Sequence, residues 1–213
     1  GEPDRVPINE KEPLKPTVSP YGGTKQMGET IIQDVCVANK TFNAILLRYF
    51  NPIGAHPSGK IGEIPQGVPA NLVPFLTQTA IGKRKELFVF GADYPTPDGT
   101  CIRDYIHVMD LARAHILSLK FLWAKKNESN CEIFNLGTGK GNSVLELIQT
   151  FESSTGQKVN YKIASRREGD IIQAYADPSK AKKILGWQAK QSLSSALKSA
   201  WEWEKNWQKE ESS

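Results

Sequence analysis

The sequence predicts an α/β fold, and three observations carry that reading. A stretch with helical apolar spacing, from Pro20 to about Ala38, runs straight into the nearly continuous apolar segment Ala44 to Phe50. Such a segment suits a strand covered on both faces, as in a parallel sheet. The same rhythm returns along the chain, with short strand-like runs alternating with helical ones. Finally, a long Gly- and Pro-rich loop, Asn51 to Gly67, follows the carboxyl end of the first strand, where α/β proteins place ligand sites.

The elements follow in order. Gly1 to Pro20 reads as loop, with prolines at 3, 7, 13, 16 and 20. Ser19-Pro20 opens the first helix, proline being suited to a first helical position. Met27, Ile31, Ile32 and Val35 carry it on, and Asn39-Lys40 closes it. Asn71 opens a helix to about Ile81 with Leu72, Val73, Phe75 and Leu76 inward, stopped by Gly82. Leu87 to Phe90 and Tyr105 to Val108 are strands, and Asp110 caps a helix through about Trp123. Ile133 to Leu136 is a strand ending in Gly137-Thr138-Gly139-Lys140-Gly141, a tight turn without phosphate-loop spacing. Ser143 and Glu146 form a capping box for a helix to about Ser154. Val159 to Ile163 is a strand, Asp177-Pro178 starts a helix ended by Gly186, and Ser192 starts the last one. Its Leu193, Leu197, Ala200, Trp201 and Trp207 face inward.

Composition narrows the function classes. Of 213 residues, 39 % are hydrophobic and 23 % charged, a soluble, core-forming balance. The net charge of +4 is spread among acidic residues, which excludes a nucleic-acid footprint. No apolar run approaches the ~18 residues of a membrane span, and no secretory signal stands at Gly1. Cys36, Cys101 and Cys131 are odd in number and lack metal-ligand spacing, which points to a reduced, cytoplasmic protein without a metal. The chain begins without Met, in a Pro- and charge-rich segment, as if cut from something longer.

The chemistry starts at Tyr21-Gly22-Gly23-Thr24-Lys25. Residues four apart on a helix share a face. A cation beside a phenol favours the phenolate, which suits Tyr21 to general-base work. Arg103 and Arg167 are candidates for phosphate, which guanidinium groups grip bidentately. For Arg103 the alternative is an ion pair with its neighbour Asp104. His107 reads as a satisfied interior histidine, and Trp201, Trp203 and Trp207 as terminal-helix packing.

Four longer stretches add specificity: Pro20 to Lys25, Leu47 to Gly59, Asp98 to Val108, and Arg166-Arg167-Glu168-Gly169-Asp170. In that order they resemble the UDP-galactose 4-epimerases, a branch of the extended short-chain dehydrogenase/reductase superfamily, from Gly1 to about Gln208. The resemblance implies a partial NAD-binding Rossmann-like sheet (its last strands and helices) with a smaller α/β substrate-binding domain. Residues 1–52 would belong to the former, 53–213 mainly to the latter, and about 103–124 would return to the Rossmann-like part. It implies NAD-dependent interconversion of UDP-glucose and UDP-galactose through a 4-keto intermediate. Tyr21 would take the 4-hydroxyl proton, and Lys25 would bond the nicotinamide ribose with Phe50 nearby. Tyr49 and Asn51 would line the sugar pocket, Asn71 and Leu72 the diphosphate region, and Phe88 and Phe90 the uracil. Arg103 and Arg167 would bind the diphosphate and Asp170 the uridine ribose. Ala174 stands at a pocket wall where some members carry tyrosine, so UDP-N-acetylhexosamines are expected to fit too.

Two family features are missing from this sequence: the Gly-rich dinucleotide loop and the Ser/Thr partner of the tyrosine. The expectation is therefore a carboxyl-terminal portion, inactive alone and dimeric when full length. The alternatives are a non-catalytic UDP-sugar-binding fragment, or a related nucleotide-sugar dehydratase or decarboxylase.

Overall fold

A computed structural model of the chain describes residues 2–17 and 19–211. Gly1 and Val18, both inside the loop expected over residues 1–20, lie outside the described residues. The first helix, α1 (Pro20–Ala38), starts as the sequence predicts: Ser19 Oγ accepts the Gly22 N–H at 3.1 Å, and Pro20 takes the first turn. Its apolar side chains do not make a core. Cys36 is buried, whereas Met27, Ile31 and Val35 are exposed.

Strand β1 (Ala44–Tyr49) pairs in parallel with β6 (Cys131–Leu136), Ala44 opposite Cys131 and Tyr49 opposite Leu136. Of β1 only Leu46 is buried, so the strand is not covered on both faces. The physical reason is that α1 turns so much of its apolar surface to solvent. Residues 51–53, expected as loop, form β2 (Asn51–Ile53) against β5 (Tyr105–His107). β3 (Leu87–Phe90) pairs in parallel with β8 (Tyr161–Ala164), which begins two residues later than expected. β4 (Ile102–Arg103) lies between antiparallel β7 (Asn142–Ser143) and parallel β9 (Gln173–Ala174).

The remaining helices are α2 (Leu72–Ala80), α3 (Val108–Trp123), α4 (Val144–Thr155) and α5 (Leu193–Glu211). The α4 capping box is present: Ser143 Oγ accepts the Glu146 N–H at 3.0 Å and the Ser143 N–H donates to Glu146 Oε2 at 2.7 Å. The expected α3 cap changes. α3 is capped by His107, whose Nδ1 accepts the Met109 N–H at 3.0 Å, because β5 runs on through 107 and the helix starts at once. The Asp110 carboxylate is buried and instead accepts the N–H groups of Lys190 and Gln191 at 2.8 and 2.9 Å. The helix expected after Asp177-Pro178 is present from residue 179 to Gly186 (φ 63°), but it is π-helical over Ala181–Leu185.

Two apolar clusters result. One joins Ile53, α2, β3, α4 and α5, with Phe151 set edge-on to Trp201 at 5.8 Å. The other joins Ile106, Leu111, Phe134, Leu136, Leu185 and Trp187, with Ile45 and Leu47 of β1 packed against it. Trp187 is fully buried and satisfies its indole N–H on the Asp110 carbonyl at 2.9 Å.

Candidate functional site

A cleft of about 1280 Å³ opens between the two clusters. The α1 periodicity puts Tyr21 and Lys25 on one face of the helix, and both line this cleft. Lys25 Nζ sits 5.0 Å from the Tyr21 ring centroid, and the phenol is 69 % exposed. One turn further, Glu29 accepts Arg48 in a two-pronged ion pair, Nε to Oε1 at 2.8 Å and Nη2 to Oε2 at 2.5 Å. That geometry locks α1 to β1, and with it the distance from Tyr21 to the strand end. Tyr49 ends β1, Phe50 and Asn51 follow it, and all three line the same cleft.

The opposite wall holds the residues expected to take a nucleotide. Phe88 and Phe90 alternate with buried Leu87 and Val89, so the strand period turns both rings to the cleft. Asn71 and Leu72 start α2 beside them. Asn71 gives no side-chain cap; its Nδ2 donates to Glu63 Oε1 at 2.9 Å. Asp170 lies between two guanidinium groups, Arg167 at 2.8 Å and Arg103 at 3.9 Å.

Asp104 is not the partner of Arg103. Its carboxylate, without accessible surface, accepts Thr138 N–H at 2.8 Å, Thr138 Oγ1 at 2.7 Å, Gly139 N–H at 3.2 Å and Ala176 N–H at 3.1 Å. The Gly137 to Gly141 turn is thus folded around an internal anion. A Cβ on Gly137 would lie 2.3 Å from Asp104 Oδ2, so the turn needs glycine there. The caged carboxylate fixes β4, and β4 directs Arg103 into the cleft.

Of the expected site residues, Tyr21, Lys25, Tyr49, Phe50, Asn51, Asn71, Leu72, Phe88, Phe90, Arg103, Arg167 and Asp170 share this one cleft. Ala174 does not line it. Ala174 is half-buried on β9, where its carbonyl accepts the Asp104 N–H at 3.1 Å. Sequence reasoning missed Glu63, Trp203 and Glu204. Trp203 Nε1 donates to the Glu63 carbonyl at 2.9 Å, and buried Glu204 accepts Thr77 Oγ1 at 3.0 Å. For Trp203 and Glu204 the only sequence signal is their place on α5, i+3 and i+4 from Ala200, and Glu63 has none. Tyr105, at the cleft floor, has its phenol pushed up by burial.

The wall beside Tyr21, Lys25 and Phe50 supplies a phenol, an ammonium and an aromatic ring at the carboxyl end of a parallel strand. That donor set fits the nicotinamide-ribose end of NAD. The sequence holds no G-x-G-x-x-G to cradle the pyrophosphate. Among the described residues there is no group of three or more His, Cys, Asp or Glu able to hold a metal ion, and no helix long and apolar enough to cross a membrane.

Fold and cleft together define an α/β protein whose Tyr-Lys couple shares a cleft with two phenylalanines, two arginines and an aspartate. The chain belongs to the family described as GDP-mannose 4,6 dehydratase, whose profile matches residues 1–200. Its similarity runs closer to one group. The chain is 52 % identical over 204 residues to the UDP-glucose 4-epimerase of Dictyostelium discoideum, covering 96 % of this chain and 58 % of that protein. The UDP-glucose 4-epimerase of Stenotrophomonas maltophila, solved with NAD and formylated UDP-arabinopyranose, superposes with a TM-score of 0.93 at 44 % identity, over 99 % of this chain and 61 % of that one. The Bifidobacterium longum UDP-glucose 4-epimerase, solved with NAD+ and UDP, gives 0.91 at 46 % identity, over 97 % and 60 %. The chain therefore spans about 58 % to 61 % of the length of these relatives.

Proposed function

We propose that this chain carries the acid–base couple and the UDP-sugar site of a UDP-glucose 4-epimerase, interconverting UDP-glucose and UDP-galactose with NAD. The observation that carries the reading is the shared cleft: Tyr21 and Lys25 on one wall, Arg103, Arg167, Asp170, Phe88 and Phe90 on the other. Tyr21 takes and returns the proton of the sugar 4-hydroxyl, with Lys25 beside its ring. Lys25 and Phe50 would hold the nicotinamide-ribose end of NAD. When bound, NAD accepts and returns hydride at C4. Arg103 and Arg167 take the diphosphate, Asp170 the uridine ribose, Phe88 and Phe90 the uracil, and Asn71 with Leu72 borders the diphosphate. Tyr49 and Asn51 face the sugar, whose weaker hold suits an intermediate that must turn over between two faces.

On this reading the cluster around Phe134 and β1 belongs to the NAD side and the cluster around Phe151 and Trp201 to the UDP-sugar side. The first takes in residues 131–136 and 181–187 besides 103–124. The exposed apolar face of α1 (Met27, Ile31, Val35) supports a homodimer. Three free thiols support a reducing, cytoplasmic setting.

Melting curves of the chain with UDP and with NAD test the proposal. Stabilisation by millimolar UDP is expected, and no response to UDP refutes it. Acceptance of UDP-N-acetylhexosamines stands as a proposal from the family resemblance alone, because Ala174 does not line the cleft. Assaying UDP-GlcNAc with a full-length enzyme carrying this pocket decides it, and undetectable turnover beside good UDP-glucose turnover ends the idea.

A further inference from the structure

We propose that Arg166, which lies outside the cleft, is the positioning residue that holds the Arg167–Asp170 loop in shape to receive a nucleoside diphosphate. This rests on the UDP reading above. Arg166 and Arg167 are adjacent, yet only Arg167 and Asp170 line the cleft. Arg166 turns the other way. Its Nε donates to Asp93 Oδ1 at 2.8 Å, its Nη2 to the Asp93 carbonyl at 2.6 Å, and its guanidinium lies over the Tyr94 ring at 4.2 Å.

The anchor is firm. Tyr94 is buried in a turn braced by its own bonds: Tyr94 N–H to Gly99 O at 3.0 Å, Gly99 N–H to Thr96 O at 3.2 Å and Thr96 Oγ1 to Thr100 O at 2.7 Å. Gly99 sits at φ 79°, and a Cβ there would stand 2.1 Å from the Ala92 carbonyl oxygen, so this close turn requires glycine. At the foot of the loop the Gly91 N–H donates to Ala164 O at 2.9 Å, extending the β3–β8 pairing. Other polar and ring contacts from residues 166–170 to the rest of the described chain are Asp170 to Arg103 and Arg167 to Phe90. Both use groups that a nucleotide would engage. The Arg166 clamp is independent of the ligand and can hold the loop before it arrives.

The effect on affinity follows from population. If the receiving conformation is a fraction f of the ensemble, the apparent Kd is the intrinsic one divided by f. An exposed guanidinium with an ion pair and a ring beneath it shifts such an equilibrium by a factor of about 3 to 10. Arg166→Gln should therefore weaken UDP binding by about 3- to 10-fold in titration calorimetry, with the unliganded melting temperature unmoved. Arg166→Lys should recover part of the loss, and Asp93→Asn added to Arg166→Gln should cost nothing more. Wild-type affinity in Arg166→Gln, or additive losses in the double variant, overturns the proposal.

A second arm needs no ligand. Hydrogen exchange of amides 165–171 should quicken in Arg166→Gln while α4 keeps its protection. Unchanged exchange in the loop also overturns the clamp. If the wild-type chain does not bind UDP, the functional reading fails, and this exchange arm alone decides on the clamp.

Discussion

Asp104→Asn tests the buried core of the site with one atom changed. The carboxylate has no accessible surface and takes Thr138 on Oδ1 and the Gly139 and Ala176 N–H groups on Oδ2. An asparagine keeps the shape and one oxygen. With that oxygen toward Thr138, its amide NH2 confronts two N–H donors that have lost their acceptor. Each buried unsatisfied donor costs about 1–3 kcal/mol, so the variant should lose about 2–4 kcal/mol. Asp104→Ala strands three backbone donors and should lose about 3–5 kcal/mol. Both are large fractions of a typical stability of about 5–15 kcal/mol. With a urea m-value of about 3 kcal/mol/M, the midpoint for Asp104→Asn should drop by about 1 M, read by tryptophan fluorescence. A drop smaller than about 0.2 M would falsify the cage as a source of stability. Gly137→Ala pushes a methyl to 2.3 Å from the same carboxylate and should cost about 1–3 kcal/mol by overpacking.

Three further outcomes are expected. His107 is buried with Nδ1 accepting a backbone N–H, and burial lowers its pKa against the opposing pull of Asp110. The unfolded chain, with its histidine near ~6.5, protonates first, so the stability is whole above that pH and is lost as pH falls toward the lower folded value, by up to about 1.4 kcal/mol per unit. Urea midpoints between pH 7.5 and 5.5 should show this fall, and His107→Gln should flatten it. Arg103→Ala and Arg167→Ala should each weaken UDP by tenfold or more, at about 1.5–3 kcal/mol per charge-assisted bond, while leaving uridine little changed; equal losses for both ligands contradict the diphosphate role. Ile31→Lys on the exposed face of α1 should move sedimentation toward monomer, and an unchanged profile removes that face as an interface.

Much of the frame was legible because it rests on local periodicity. The Ser19 and Ser143 caps, the glycine stops at 82 and 186, and the strand runs at 44, 87 and 133 all follow from neighbours in sequence. What escaped depends on distant partners. Asp110 has the side chain of a cap, but β5 runs straight into α3 and leaves the capping position to His107. Asp104 stands next to Arg103, yet its partners lie 34 to 72 positions away. Ala174 is paired with Arg103 across β9 and β4 and does not reach the cleft itself. Glu63 and Trp203 meet across 140 positions, a contact no local pattern announces.

The far wall of the cleft also has a kinetic consequence. α5 supplies Trp203 and Glu204, and it is tied back to the start of the chain's long loop by Ala55 N–H to Ser199 Oγ and Asn206 to Gly59 O, spans of 144 and 147 residues. Ring closures of that size have to be paid for in chain entropy before they return any contact. The pocket should accordingly be among the last features to assemble during refolding, after local elements such as α4 have formed, and nucleotide affinity should report the final step of maturation.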